Sequence, residues 1–294
     1  MDTILGYHMS WKVERVVEHA YETGEGPLYH PDEHCLYWVD IPNGHMYRYD
    51  LDTGEHEQCY SGSPVGGFTI QADGSLLLFK ADGEITVWDN GREETIIKEI
   101  PEERGSRFND VIAGPEGRVY CGTMPPEGRL YCLDTDGTVT MLISDVAVSN
   151  GLGFSPDQAK VYFAETDAET IWSFDYDATT GDLSNRRTFV ETVGGPGSPD
   201  GLTVDAEGYV WSARWNGGCV VRHDPENGQI VDRVQLPARK VSCITFGGPE
   251  YDQAYVTTAT AGNDRSVEGD GAGALFRFTP DVNGVPEFQS RVGL

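Results

Sequence analysis

Several things are scarce in this 294-residue chain, and each scarcity narrows what it does. None of its six cysteines (Cys35, Cys59, Cys121, Cys132, Cys219 and Cys243) forms a CxxC pair, which argues against a cysteine-built zinc site. Most sit in apolar, strand-like runs such as VYCGTM and read as buried free thiols of a cytoplasmic protein. No run of 18 apolar residues exists, so no helix long enough to span a membrane is expected. The opening MDTILGYHMSWKVER has neither a basic start nor a long apolar stretch, so no signal peptide is expected. Positive charge is rare: 21 Lys and Arg against 48 Asp and Glu leave a net charge of −27. Nucleic acid and anionic membrane need basic patches and are excluded as partners. Only five of the cations are lysines, and an acid-rich, lysine-poor surface suits solubility at high salt, so a halophilic source fits as well as an ordinary acidic enzyme. The seven histidines show no HxxxH spacing and read as surface or strand residues. Ser149 and Ser198 lack a G-x-S-x-G elbow, which disfavours a serine hydrolase. No segment sustains a 3.6-residue apolar period, so helices are not expected to build the fold.

What the chain does have is glycine, 36 residues of it, and repetition. A short pattern recurs six times: EGPLYHPDE from Glu25, GGFTIQADG from Gly66, NDVIAGPEG from Asn109, NGLGFSPDQ from Asn150, DGLTVDAEG from Asp200 and SCITFGGPE from Ser242. Successive starts lie 41, 43, 41, 50 and 42 residues apart, the spacing of propeller blades. Each copy opens a strand, a Pro/Asp/Gly turn, and two further strands dense in Tyr, Trp, Val and Phe, such as CLYWVD and MYRYD. An Asp/Gly turn then leads to a more polar fourth strand. The pattern predicts an all-β six-bladed propeller of four antiparallel strands per blade, with residues 1–294 forming one domain. WKVERVVEH, residues 11–19, reads as a strand that pairs with the last blade and closes the ring, with the C-terminal VPEFQSRVGL as a competitor for that edge. Two long Gly-rich insertions, RTFVETVGGPGSP and TATAGNDRSVEGDGAG, are expected to border a channel mouth.

Equivalent positions in a ring of blades are related by its axis. The residues that open the six repeats (Glu25, Gly66, Asn109, Asn150, Asp200 and Ser242) precede the innermost strands, so they should converge at one mouth of the channel. Four carry carboxylate or amide oxygens and none is His or Cys. Oxygen donors suit Ca²⁺, Mg²⁺ or Mn²⁺, and carboxylate sites also accept Zn²⁺. Asn and Asp alone often just make turns before strands; the convergence of the set is what points to a metal. Arg107 stands two residues from Asn109, and its planar fork can donate two hydrogen bonds to oxygen acceptors at that mouth.

The stretches GEGPLYHPDEHCLYWVDI, SRFNDVIAGPEGRVYCGTM, VSNGLGFSPDQAKVYFAETDAETIWSFDYD and SPDGLTVDAEGYVWSARWNGGCVVRHDP resemble the gluconolactonase, regucalcin and senescence-marker-protein family of six-bladed propellers. The resemblance runs from about Glu25 to Phe278. It implies one divalent ion (Ca²⁺ or Zn²⁺ favoured, with Mn²⁺, Mg²⁺ and Fe²⁺ in the set) held by Glu25 of GEGP, Asn150 of SNGL and Asp200 of PDGL. It implies substrate contacts from Arg107 and Asn109 of RFND and from Glu127, three residues beyond the methionine of GTM, although the PPEGRLY loop is shorter than in regucalcin-like members. The activity it implies is hydrolysis of a sugar lactone to the sugar acid; Asp200, as a ligand with a spare oxygen, is then expected to act as the general base. Two rivals accompany it: a calcium-binding regulator, and a phosphotriesterase-like hydrolase on the same scaffold.

Overall fold

The computed structural model describes residues 11–294. Residues 1–10, with His8 and most of the segment read as carrying no leader, lie outside the described residues. The chain folds into six antiparallel four-stranded sheets arranged as the blades of a propeller. Blade one runs Gly24–His30, Cys35–Asp40, His45–Asp50 and His56–Ser61. The other five inner strands are Val65–Ile70, Phe108–Ala113, Ser149–Phe154, Ser198–Val204 and Lys240–Gly247.

The sequence grades from apolar to polar along each repeat, and this orders the strands radially. In blade two the inner VGGFTI and the next strand LLLFK are buried throughout, while the last strand, REETII, is largely exposed. Neighbouring blades meet through shared clusters: Leu77 and Phe79 of blade two pack with Phe108, Val119 and Tyr131 of blade three. Phe79 and Phe108 sit edge to face at 5.2 Å. Full burial of a side chain of this size contributes roughly 1.5–3 kcal/mol. The hairpins turn on the residues their geometry demands. Asp82 and Gly83, with φ of 57° and 77°, form the primed turn that matches the twist of the strands on either side.

The sixth blade takes its outermost strand from the other end of the chain. Glu14–Val17 pairs antiparallel with Leu275–Phe278, Glu14 opposite Arg277, and the Arg277 guanidinium lies 3.0 Å from the Glu14 carboxylate. The ring is thus closed by the N-terminal strand. The C-terminal segment does not compete for that edge. It crosses the end of the channel where the inner strands finish: Gly284 bridges Asp205, and Ser290 bridges Gln71. Gln71 binds Val292 through both ends of its side-chain amide, and Ser290 Oγ lies 2.8 Å from Thr69 Oγ1. Backbone groups left free at the ends of the inner strands explain this preference, because they supply partners that the filled edge of blade six no longer offers.

His223 is not a surface residue. It is buried in blade five with Phe189 of blade four against its ring. Nδ1 donates to the Gly228 carbonyl at 2.7 Å, which leaves Nε2 as the acceptor for Arg214 Nη2 at 2.5 Å. Burial and then the Arg214 charge push its pKa down to about 4. An unfolded chain takes up this proton near pH 6.5, whereas the folded one resists until about pH 4. The stabilisation from a neutral His223 is therefore complete above pH 6.5 and disappears as pH falls towards 4, by on the order of 3 kcal/mol at most. Unfolding profiles of the native chain and of His223→Gln should diverge over that window. Parallel profiles would remove His223 as a cause.

Candidate functional site

In every blade the pairing of the inner strand with its neighbour shifts register at the same place. The shifts fall between Glu25 and Leu28, Val65 and Gly67, Phe108 and Val111, Ser149 and Leu152, Pro199 and Leu202, and Val241 and Cys243. Bulges re-aim side chains. Here they fall at the residues that open the six repeats. Four of these (Glu25, Asn109, Asn150 and Asp200) line one pocket of about 300 Å³ at the mouth opposite the C-terminal segment. Gly66 and Ser242 do not line it. A Cβ on Gly66 would come within 1.9 Å of the Phe108 carbonyl, so this position serves blade packing. Ser242 Oγ is spent on the Gly24 carbonyl at 2.6 Å.

One residue further along each strand lies a second layer: Gly26, Gly67, Asp110, Gly151, Gly201 and Cys243. A Cβ on Gly151 would fall 2.2 Å from the Leu202 nitrogen, so the inner strands approach too closely there for a side chain. Asp110 breaks the glycine pattern and adds a third carboxylate beneath Glu25 and Asp200. The signal was in the repeat alignment: an acid where four of six repeats have glycine.

The electrostatics follow from burial. Glu25 and Asp200 are 5% and 4% exposed. Burial, then the negative charges of Asp200 and Asp110, hold the Glu25 carboxyl well above its usual range. Burial and then Asp110 do the same to Asp200, opposed by the Gly201 N–H, by Asn150 and by Arg107. Asp110 is raised by burial, with Arg107 opposing. Arg107 is the cation among them, yet its Nη1 donates to Phe108 O at 2.8 Å and to Asn109 Oδ1 at 2.7 Å rather than to a carboxylate. Three carboxylates thus share one guanidinium. Among the described residues, no three His, Cys, Asp or Glu side chains gather as a ready metal cage. The donors here are two buried carboxylates with amide oxygens beside them. That composition fits one hard divalent cation, whose charge would offset the burial and neighbouring negative charge that raise these carboxyls.

The amides are held in sequence round the mouth. Asn109 Nδ2 donates to Ser149 O at 2.8 Å and to Asn150 Oδ1 at 3.2 Å, and Asn150 Nδ2 donates to Thr166 Oγ1 at 2.8 Å. Ile41, Met124, Val148 and Trp215 form the apolar wall, with Thr23, Thr166, Asp167 and Ala261 completing it. Ala261 comes from the second long insertion; the first contributes nothing to the lining. Thr166, Asp167 and Trp215 follow or end second strands, positions the sequence pattern left unmarked. Glu127 is not brought to the pocket. Its side chain is 76% exposed and paired with Arg129 at 2.5 Å, so the short loop turns it outwards, away from the sugar-binding place expected for it.

A six-bladed propeller with buried acids and amides converging at one channel mouth defines a class, and the comparisons narrow it. Residues 23–260 match the model of the SMP-30/Gluconolactonase/LRE-like region, and the chain belongs to that family. It is 48% identical to the pentonolactonase XacC of Haloferax volcanii over 293 residues, covering 96% of this chain and 99% of that one. It is 35% identical to regucalcin of Xenopus laevis, covering 87% and 89% of the two chains. A solved structure titled as the calcium-binding protein regucalcin, from Agrobacterium tumefaciens, superposes with a TM-score of 0.90 at 26% identity, covering 98% of this chain and all of that one. Among the described residues, no helix is long and apolar enough to cross a membrane.

Proposed function

We propose that residues 1–294 act as one propeller domain that hydrolyses a sugar lactone to its sugar acid with one divalent ion. The observation that carries this reading is the pair of buried carboxylates, Glu25 and Asp200, which among the described residues have no ion-pair partner, at a mouth lined by amides and Arg107. The name of the Haloferax relative, a pentonolactonase, supports the substrate class. Glu25, Asn150 and Asp200 would hold the ion, with Ca²⁺ or Zn²⁺ the favoured identities. When bound, it would supply charge to polarise the lactone carbonyl and acidify water.

The chain's own residues do the rest. Asp200 accepts the proton from the attacking water at its free oxygen. Water oxygen bonds to the acyl carbon, the acyl–oxygen bond of the ring breaks, and the ring oxygen leaves as a hydroxyl on receiving that proton back from Asp200. Arg107 Nε and Nη2 make no hydrogen bond among the described residues, so they are free to bind a sugar hydroxyl. Asn109, fixed by its own bonds, offers the neighbouring edge. Ile41, Met124, Val148 and Trp215 supply the apolar wall beside them. Free thiols at all six cysteines suit a reducing compartment, and we place the enzyme in the cytoplasm.

A panel of aldonolactones beside a phosphotriester, followed by acid release with saturating Ca²⁺, Mn²⁺ or Zn²⁺, tests the reading. Turnover of lactones alone is expected. Tight metal binding without turnover of any lactone would favour the regulator reading, and preference for the triester the other rival. Arg107→Ala should raise KM roughly tenfold or more, the value of one charge-assisted hydrogen bond, and leave kcat little changed. Unaltered kcat/KM would place Arg107 outside the site.

A further inference from the structure

An asparagine side chain has an oxygen end that accepts and a nitrogen end that donates, of nearly the same shape. For Asn150 to keep its oxygen available to a cation at the mouth, something must engage its nitrogen. The structure shows how that choice is made. The Pro199 carbonyl is an acceptor only, and Thr166 Oγ1 donates to it at 2.7 Å. A hydroxyl carries one proton. With it committed to Pro199, the Thr166 oxygen can only accept, and it accepts from Asn150 Nδ2 at 2.8 Å. Turning the amide over would set two acceptor oxygens against each other. Asn109 Nδ2, at 3.2 Å from Asn150 Oδ1, favours the same orientation from the other side. The direction of each bond therefore follows from a carbonyl that cannot donate.

Thr166 also sits where it can act on both ligand positions. It follows the second strand of blade four, Lys160–Glu165, and its N–H is bonded to Val148 O at 3.1 Å, which anchors its backbone beside Asn150. Its hydroxyl reaches across to blade five at the residue preceding Asp200. It is buried and lines the pocket. One hydroxyl thus ties the amide of one blade to the backbone that carries the carboxylate of the next.

We propose that Thr166 is a positioning residue: its hydroxyl sets the polarity of the Asn150 amide and the spacing between Asn150 and Asp200, and so the affinity of the site for a divalent cation. This rests on the reading of Glu25, Asn150 and Asp200 as the ligands. Groups that orient ligands from behind typically change metal affinity 10- to 100-fold when removed.

The test titrates the full chain, stripped with chelator, with Mn²⁺ and follows free Mn²⁺ by electron paramagnetic resonance. Thr166→Val keeps the shape and loses the hydroxyl; Thr166→Ala is a second hydroxyl-free variant should valine fail to fold; Thr166→Ser keeps the hydroxyl. The hydroxyl-free variant should bind Mn²⁺ roughly 10- to 100-fold more weakly, while serine stays within about threefold of the native chain. Native affinity in a folded hydroxyl-free variant would overturn the proposal. So would equal weakening of the serine and hydroxyl-free variants, which would assign the effect to methyl packing. If the native chain binds no Mn²⁺, Ca²⁺ or Zn²⁺, the ligand reading itself fails, an outcome distinct from either of these.

Discussion

Stripping the divalent ion is expected to abolish lactone turnover, and returning it to restore turnover. Glu25 and Asp200 are buried at the mouth with Asp110 beneath them and one guanidinium among the three. Without a cation, burial and then the neighbouring carboxylates disfavour the charged forms of Glu25 and Asp200, so Asp200 is a poorer proton acceptor and the lactone carbonyl meets no compensating charge. The same argument governs stability. The folded-state pKa values of Glu25 and Asp200 lie above their unfolded values. The folded, metal-free chain therefore keeps its full stability from these groups only at low pH, and loses it as pH rises through the raised values. A bound ion removes that loss. At 100 times its Kd, an ion bound only to the folded state contributes about 2.7 kcal/mol. The gain in melting temperature on adding metal should then grow from acidic to neutral pH, because protons compete for the same oxygens. Undiminished turnover by protein shown to be metal-free by elemental analysis would defeat the ion's role. A metal-induced rise that shrinks towards neutral pH would count against the assignment of its ligands.

Asp200→Asn is expected to lower kcat by roughly 10²-fold or more, the range of a lost general base, with a much smaller change in KM. Asparagine keeps an oxygen for the ion and the approximate volume of the side chain, so the Mn²⁺ titration should still show a bound ion. What it lacks is a group that can take a proton from water. The pH profile separates this role from simple disturbance of the site. In the native enzyme kcat should fall on the acid side as Asp200 is protonated, and in the variant that limb should vanish. A variant that binds metal and keeps native kcat would move the base elsewhere, with Asp110 the carboxylate next in line. A variant that binds metal more weakly and regains native kcat at higher metal concentration would make Asp200 a ligand alone.

How much of this was legible beforehand depends on how local each cause is. The six blades were readable because alternation of apolar residues, Asp/Gly turns and a repeat of 41 to 50 residues are properties of neighbouring residues. The closing strand at Glu14–Val17 was readable for the same reason, since a strand needs a partner and the last blade lacked one. The convergence of Glu25, Asn109, Asn150 and Asp200 followed from repeat register alone, because ring symmetry turns equal positions into neighbours. Asp110 lay within reach of that argument one position further on.

Tertiary structure decided the rest. Thr166 enters the site because blade four leans against Pro199 of blade five, a distance no repeat pattern encodes. Trp215 and Ile41 form a wall only once the blades are tilted together. Glu127 faces solvent because a short loop and Arg129 set its direction, although sequence spacing placed it close by. The C-terminal segment runs beneath the channel because free backbone groups at Gln71 and Asp205 await it there. From the sequence alone came the fold and the ring of oxygens at the mouth, since strand alternation and repeat register are local rules multiplied by symmetry. Which way each side chain points, and which hydroxyl or cation stands behind it, came only from the contacts between blades, where groups far apart in the chain meet at distances that side-chain packing sets.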